Sequence, residues 1–122
     1  MKALLNCILL AVLVTSCSKI EENNDPIIGI WKNTVKTPTN SNKLVLDGEE
    51  WIFNDVYLGR FHGYKSGKVV FLTDFRWSVN NGTYTVSYPG TDFPDDFIHI
   101  KETEEGVILL RGEGKIFAQR QN

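Results

Sequence analysis

The chain has 122 residues, of which 42% are hydrophobic and 11% aromatic, with a formal charge of −2. That length builds one domain, and a weakly acidic balance without a Lys/Arg cluster argues against a nucleic-acid or anionic-membrane surface. Its two cysteines, Cys7 and Cys17, both lie in the first seventeen residues, so the rest has no thiol for a disulfide, a thiolate metal site or a nucleophile.

The chain opens on an export pattern. Met1-Lys2 supplies one positive charge, and Ala3 to Val14 is apolar apart from Asn6 and Cys7. An apolar run too short to span a bilayer, ending in small residues, reads as a secretory signal. Val14-Thr15-Ser16-Cys17 resembles a bacterial lipobox at all four positions. The resemblance implies that residues 1–16 are a lipoprotein signal peptide and that Cys17 is the lipid attachment site. It also implies an outer membrane lipoprotein, facing either the cell surface or the periplasm. Removing 16 of 122 residues leaves 106, in which twelve Lys and Arg stand against fifteen Asp and Glu. No basic patch draws that domain to a membrane, so attachment falls to the lipid. Each buried CH₂ contributes about 0.8 kcal/mol, and two or three acyl chains suffice.

Ser18 to Pro26 is polar and acidic, so the stretch from Cys17 to Pro26 reads as a lipidated cysteine with a flexible tether. Lys19-Ile20-Glu21-Glu22 resembles the surface-export signal of lipoproteins from Bacteroidetes-type bacteria, with one extra Ile.

Residues 27–122 form the expected folded domain. No window there keeps apolar residues at helical spacing, while strand signals recur. Ile28 to Val35 is the first expected strand, followed by a polar loop from Thr37 to Asn42. Leu44 to Leu46 and Glu50 to Asn54 are short strands split near Asp47-Gly48, and Gly59 to Tyr64 is another. Val69, Phe71, Phe75, Trp77 and Val79 then mark one face of a long strand. Asn81-Gly82 follows, the preferred pair for a type I′ turn, because both positions need φ > 0. Folding about that pair sets Asn80 against Thr83, Val79 against Tyr84, Trp77 against Val86 and Phe75 against Tyr88. Apolar then meets apolar and polar meets polar, an agreement that a one-residue slip destroys. Pro89 to Asp96 reads as a loop. Ile98 to Lys101 and Val107 to Arg111 make a second hairpin, with Gly106 at a left-handed position. Lys115 to Arg120 is the last strand. The sum is all-β: an eight- to nine-stranded antiparallel meander closed as a small barrel, with a two-sheet β-sandwich as the alternative.

Gly29-Ile30-Trp31, Trp51-Ile52-Phe53-Asn54, the segment from Phe75 to Val86, Val107-Ile108-Leu109-Leu110 and Phe117-Ala118-Gln119-Arg120 lie along most of residues 27–120. Together they resemble the small lipocalin-like lipoproteins of Bacteroidetes. The resemblance implies a lipocalin-like β-barrel that binds a small apolar ligand in its mouth. In that superfamily the Trp of the Gly-x-Trp motif closes one end of the barrel against an Arg of the last strand. Here this implies structural closure by Trp31 and Arg120, with Arg111 as the other candidate. Such a cation–π contact is worth about 0.5–2 kcal/mol. The chain departs from typical lipocalins in being much shorter and in lacking their disulfides, which argues against a roomy cavity.

Catalytic chemistry finds little footing. His62 and His99 lie in different strands with no acidic residue at a ligand spacing. Asp92, Asp95 and Asp96 lack the spacing of a calcium loop and read as a solvated acidic loop. Glu102, Glu104 and Glu105 crowd a hairpin tip, no serine has a nucleophile-elbow context, and no glycine-rich phosphate loop occurs. The expectation is a protein that is not an enzyme, with no metal and no cofactor. The aromatic residues Trp51, Phe53, Phe75, Trp77, Tyr84 and Tyr88 are candidates for ligand contact or core. Two functions follow: binding of a small apolar ligand, or a non-enzymatic protein-interaction or inhibitor module displayed on the cell envelope to a protein partner.

Overall fold

The computed structural model describes residues 22–34 and 46–121. The expected signal peptide, Cys17 and the loop from Thr37 to Asn42 lie outside the described residues. Among the described residues eight strands make up the regular structure: β1 (Gly29–Thr34), β2 (Gly48–Phe53), β3 (Leu58–Lys65), β4 (Lys68–Asn80), β5 (Thr83–Ser87), β6 (Asp96–Thr103), β7 (Gly106–Arg111) and β8 (Ile116–Arg120). Each pairs with the next, and β8 returns to β1, so the sheet is a closed antiparallel barrel. Closure rules out the sandwich, whose two sheets would each keep edges.

The central hairpin has the register that its alternation dictates. Asn80 faces Thr83, Val79 faces Tyr84 and Trp77 faces Val86. Asn81 and Gly82 have φ of 50° and 80°, the signature of a type I′ turn. The ladder stops at Arg76 and Ser87, so Phe75 and Tyr88 meet only through their rings, 6.2 Å apart. Val79 lies on the inner face but at the rim, where it is half exposed. The inner-face alternation also breaks lower in β4. Gly63 pairs with Phe71 but Tyr64 pairs with Val69, which leaves Val70 as an extra residue in a bulge. That bulge turns Val69, expected on the inner face, to solvent.

Inward-facing aromatics fill the barrel. Trp51 stacks within 4.3 Å of Phe117 and 5.1 Å of Phe61. Phe53 meets Phe75 edge-on at 4.8 Å and Trp77 at 6.0 Å. Gly59 makes room for this packing: a Cβ there would overlap the Phe75 ring and the Ile52 carbonyl. An aromatic ring thus covers the bare backbone of a glycine inside the sheet. Trp31, Phe75, Val86, Ile98 and Leu109 are wholly buried, and the core is continuous from one end of the barrel to the other.

Asn23 to Pro26, read from sequence as part of the tether, are bonded to the barrel. Asn23 donates to the Asp55 carbonyl, and Tyr84 donates its hydroxyl proton to Asp25. These contacts precede Ile27, which is itself fully buried.

Candidate functional site

The two ends of the barrel differ in chemistry. At one end Trp31 is buried and donates its indole N–H to the Ile27 carbonyl at 2.8 Å. The Arg120 guanidinium lies 4.6 Å above the Trp31 ring and also donates to the Pro26 carbonyl. Trp31 and Arg120 are direct partners across the β1–β8 seam, so the contact sits where the barrel closes. A planar cation suits that place, because it covers an aromatic face while keeping donors for a carbonyl. This end is sealed.

The opposite end holds a polar chain inside aromatic walls. Trp51 donates its indole N–H to the Tyr88 hydroxyl at 3.0 Å, and Tyr88 donates to Asp96 at 2.6 Å. Asp96 also accepts from Arg111 at 2.7 Å. The Arg111 guanidinium in turn rests 4.9 Å from the centre of the Phe117 ring. Burial and the Asp96 carboxylate hold the Tyr88 hydroxyl far above its ordinary range, so it stays a donor. Glu49 faces the same space. Burial raises its carboxyl, the Arg111 charge opposes that rise, and Asp96 adds to it. The loop between β5 and β6 roofs the mouth, with the Phe93 ring 5.2 Å from Phe71 and 5.6 Å from Tyr88. The space left is about 230 Å³, bounded by Glu49, Trp51, Phe61, Tyr88, Phe93 and Arg111.

Asp96 corrects the sequence reading of a solvated acidic loop. It opens β6, is 9% exposed and is paired with a cation. The signal was present: Ile98 and Ile100 face inward, and the same alternation carried back two residues places Asp96 inward. Its partner Arg111 is fixed by register, since Arg111 faces Ile98 across β6 and β7. Asp92 and Asp95 do remain exposed.

The candidate ligand residues divide. Trp51 and Tyr88 line the mouth, whereas Phe53, Phe75, Trp77 and Tyr84 are core deeper in the barrel. His62 lies on β3 and His99 on β6. His62 donates to Glu50 at 2.9 Å on the outer wall, where Tyr64 also donates to Glu50 at 3.2 Å and Lys32 approaches at 3.5 Å. Among the described residues no group of three or more His, Cys, Asp or Glu side chains is placed to hold a metal ion. The outer wall also carries a shallow groove of about 590 Å³ between Ile52, Leu58, Arg60, Asp74, Arg76 and Pro89.

No family model matches this chain, and no curated protein or solved structure is significantly similar to it.

Proposed function

We propose that this chain is a non-enzymatic module held on the cell envelope by lipid at Cys17, and that it acts by binding a protein at its outer wall. The observation that carries this reading is the filled interior. The wide rings of Trp51, Phe53, Phe75 and Trp77 occupy the space in which a lipocalin holds its ligand. The mouth space of about 230 Å³ lies below the ordinary range of ligand pockets, roughly 300–1,000 Å³. The outer wall instead offers a larger groove beside exposed Ile30 and Leu58, with cationic Arg60 and Arg76 at its edge. Apolar surface framed by charge is the composition of a protein contact.

The mouth supports a second reading, in which it takes a small apolar ligand. Its aromatic walls offer apolar contact, and buried Asp96 with the half-exposed Arg111 offers the sparse polar contacts that orient such ligands. Two measurements separate the readings. Native mass spectrometry of the lipoprotein purified from its own host should find no retained small molecule. A stoichiometric adduct lost in Arg111→Ala overturns the first reading in favour of the mouth. Photocrosslinking in living cells from a reactive residue at Leu58 should give one discrete protein adduct. Its absence, with equal expression, also overturns the outer-wall reading.

A further inference from the structure

The mouth of the barrel carries an unbalanced charge among the described residues. Asp96 and Arg111 are paired at 2.7 Å, and the Arg111 guanidinium rests on the Phe117 ring. Those two charges cancel. Glu49 lines the same space. It stands two residues before Trp51 on β2, so both side chains face inward. Its neighbour across β3 is Gly63, which has no side chain to meet it. Among the described residues no cation lies within ion-pair distance of Glu49. Burial is the main influence on its carboxyl. A carboxylate held this way stays costly until a cation reaches it.

The walls around that charge are aromatic. Phe93 stands at 89° to Phe61, with centroids 6.3 Å apart, and at 84° to Tyr88, 5.6 Å apart. Trp51 continues the wall 5.1 Å from Phe61. The face of such a ring attracts a cation through its quadrupole. Tyr88 strengthens this, because its hydroxyl donates to the Asp96 carboxylate at 2.6 Å and so enriches the ring in electron density. An aromatic corner beside an unbalanced carboxylate is the composition of an organic-cation site.

We propose that the mouth binds a small organic cation, an alkylammonium head group, with Glu49 as its counter-ion and Trp51, Phe61, Tyr88 and Phe93 as its walls. Other guests fit this chemistry less well. A neutral apolar molecule leaves Glu49 unbalanced, and an anion meets both Glu49 and Asp96. A bare metal ion wants several oxygen ligands, whereas Glu49 and Asp96 alone among the described residues bring carboxylates here, and Arg111 holds Asp96. The space of about 230 Å³ takes a head group of a few heavy atoms. So few contacts give a dissociation constant on the order of 1 mM, and the guest is lost during purification. The proposal does not rest on the outer-wall reading, since Leu58 lines the groove and not the mouth.

The test is heteronuclear NMR of the full chain in a non-ionic detergent at constant ionic strength, reading the indole N–H signals of its tryptophans. The probes are choline and its uncharged isostere, in which a tert-butyl group replaces trimethylammonium. Choline should shift the Trp51 signal saturably, because that N–H is bonded to Tyr88 in the mouth, and leave Trp31 at the sealed end unmoved. The isostere should bind at least ~10-fold more weakly, about 1.4 kcal/mol. Glu49→Gln, which removes the charge, and Phe93→Leu, which removes a ring but keeps apolar volume, should each weaken choline. Both variants keep every tryptophan, and thermal melts check that the barrel is intact. No saturable shift of Trp51 overturns the proposal. So does equal affinity for the isostere, which marks the mouth as purely apolar, or choline binding that either substitution leaves unchanged.

Discussion

At the scale of residues, two kinds of buried group carry the energetics. Trp31 fills core volume and Arg120 covers it at the seam. Trp31→Ala should cost about 3–5 kcal/mol through the cavity it leaves. Arg120→Lys should cost less, because charge is kept while planar stacking is lost. Urea unfolding of the two variants measures both, and equal losses would contradict a stacking role. The carboxyls Glu49 and Glu50 make a second comparison, adjacent in sequence and opposite in sign. Burial alone would raise Glu50, but the hydrogen bonds from His62 and Tyr64 and the Lys32 charge overcome it, so its carboxyl lies below the ordinary 4.5. A depressed native pKa contributes stability above 4.5 that is lost as pH falls through the native value. Glu50→Gln should therefore melt lower than wild type at pH 7, and the gap should shrink as the solution is acidified below 4.5. For Glu49 the native pKa is raised, chiefly by burial. Its ionised form disfavours the folded state at pH 7, a penalty that fades as pH falls through the raised native pKa and is gone below 4.5. Glu49→Gln should melt higher than wild type at pH 7 and equal to it in acid. Melting temperatures from pH 3 to 8 check both signs.

At the scale of elements, the β4–β5 hairpin was the most legible part of the chain. Its turn needs positive φ at two adjacent positions, and Asn-Gly is the pair that adopts it at least cost. Gly82→Val should cost at least ~1 kcal/mol, because a β-branched residue resists φ of 80°. No atom stands within 4 Å of a Cβ placed at Gly82, so the loss would report backbone strain rather than collision. Gly82→Asn, which tolerates the left-handed region, should recover much of that loss in the same denaturation experiment. Other elements were read with less precision. The β3 start is set by Asn54, whose side chain accepts from the Val56 and Leu58 N–H groups, and by Tyr57 at φ 62°. The bulge at Val70 has no mark in the sequence, since a valine suits a strand with or without one.

At the scale of the whole molecule, the proposal joins a filled barrel to a lipid anchor. Cys17→Ala removes the proposed acylation site, so the variant should leave the membrane fraction and take up no labelled palmitate. Label retained in the variant would place the anchor elsewhere. The pairing of Trp31 with Arg120 was an expectation from the family resemblance, with Arg111 open beside it, whereas the sequence by itself determined the all-β class, the meander order and the central register. These follow from period-two alternation, turn residues and chain order, all of them local or nearly so. Tertiary structure decided for the expected barrel over the sandwich, set its strands at eight among the described residues, and filled it with their rings. It also brought Asp96 to Arg111 and Glu50 to His62 across strand pairs. Those outcomes depend on how far each strand extends and on which strand lies beside it. Both are set when the sheet closes on itself and the large side chains compete for one interior, a constraint that no single segment carries.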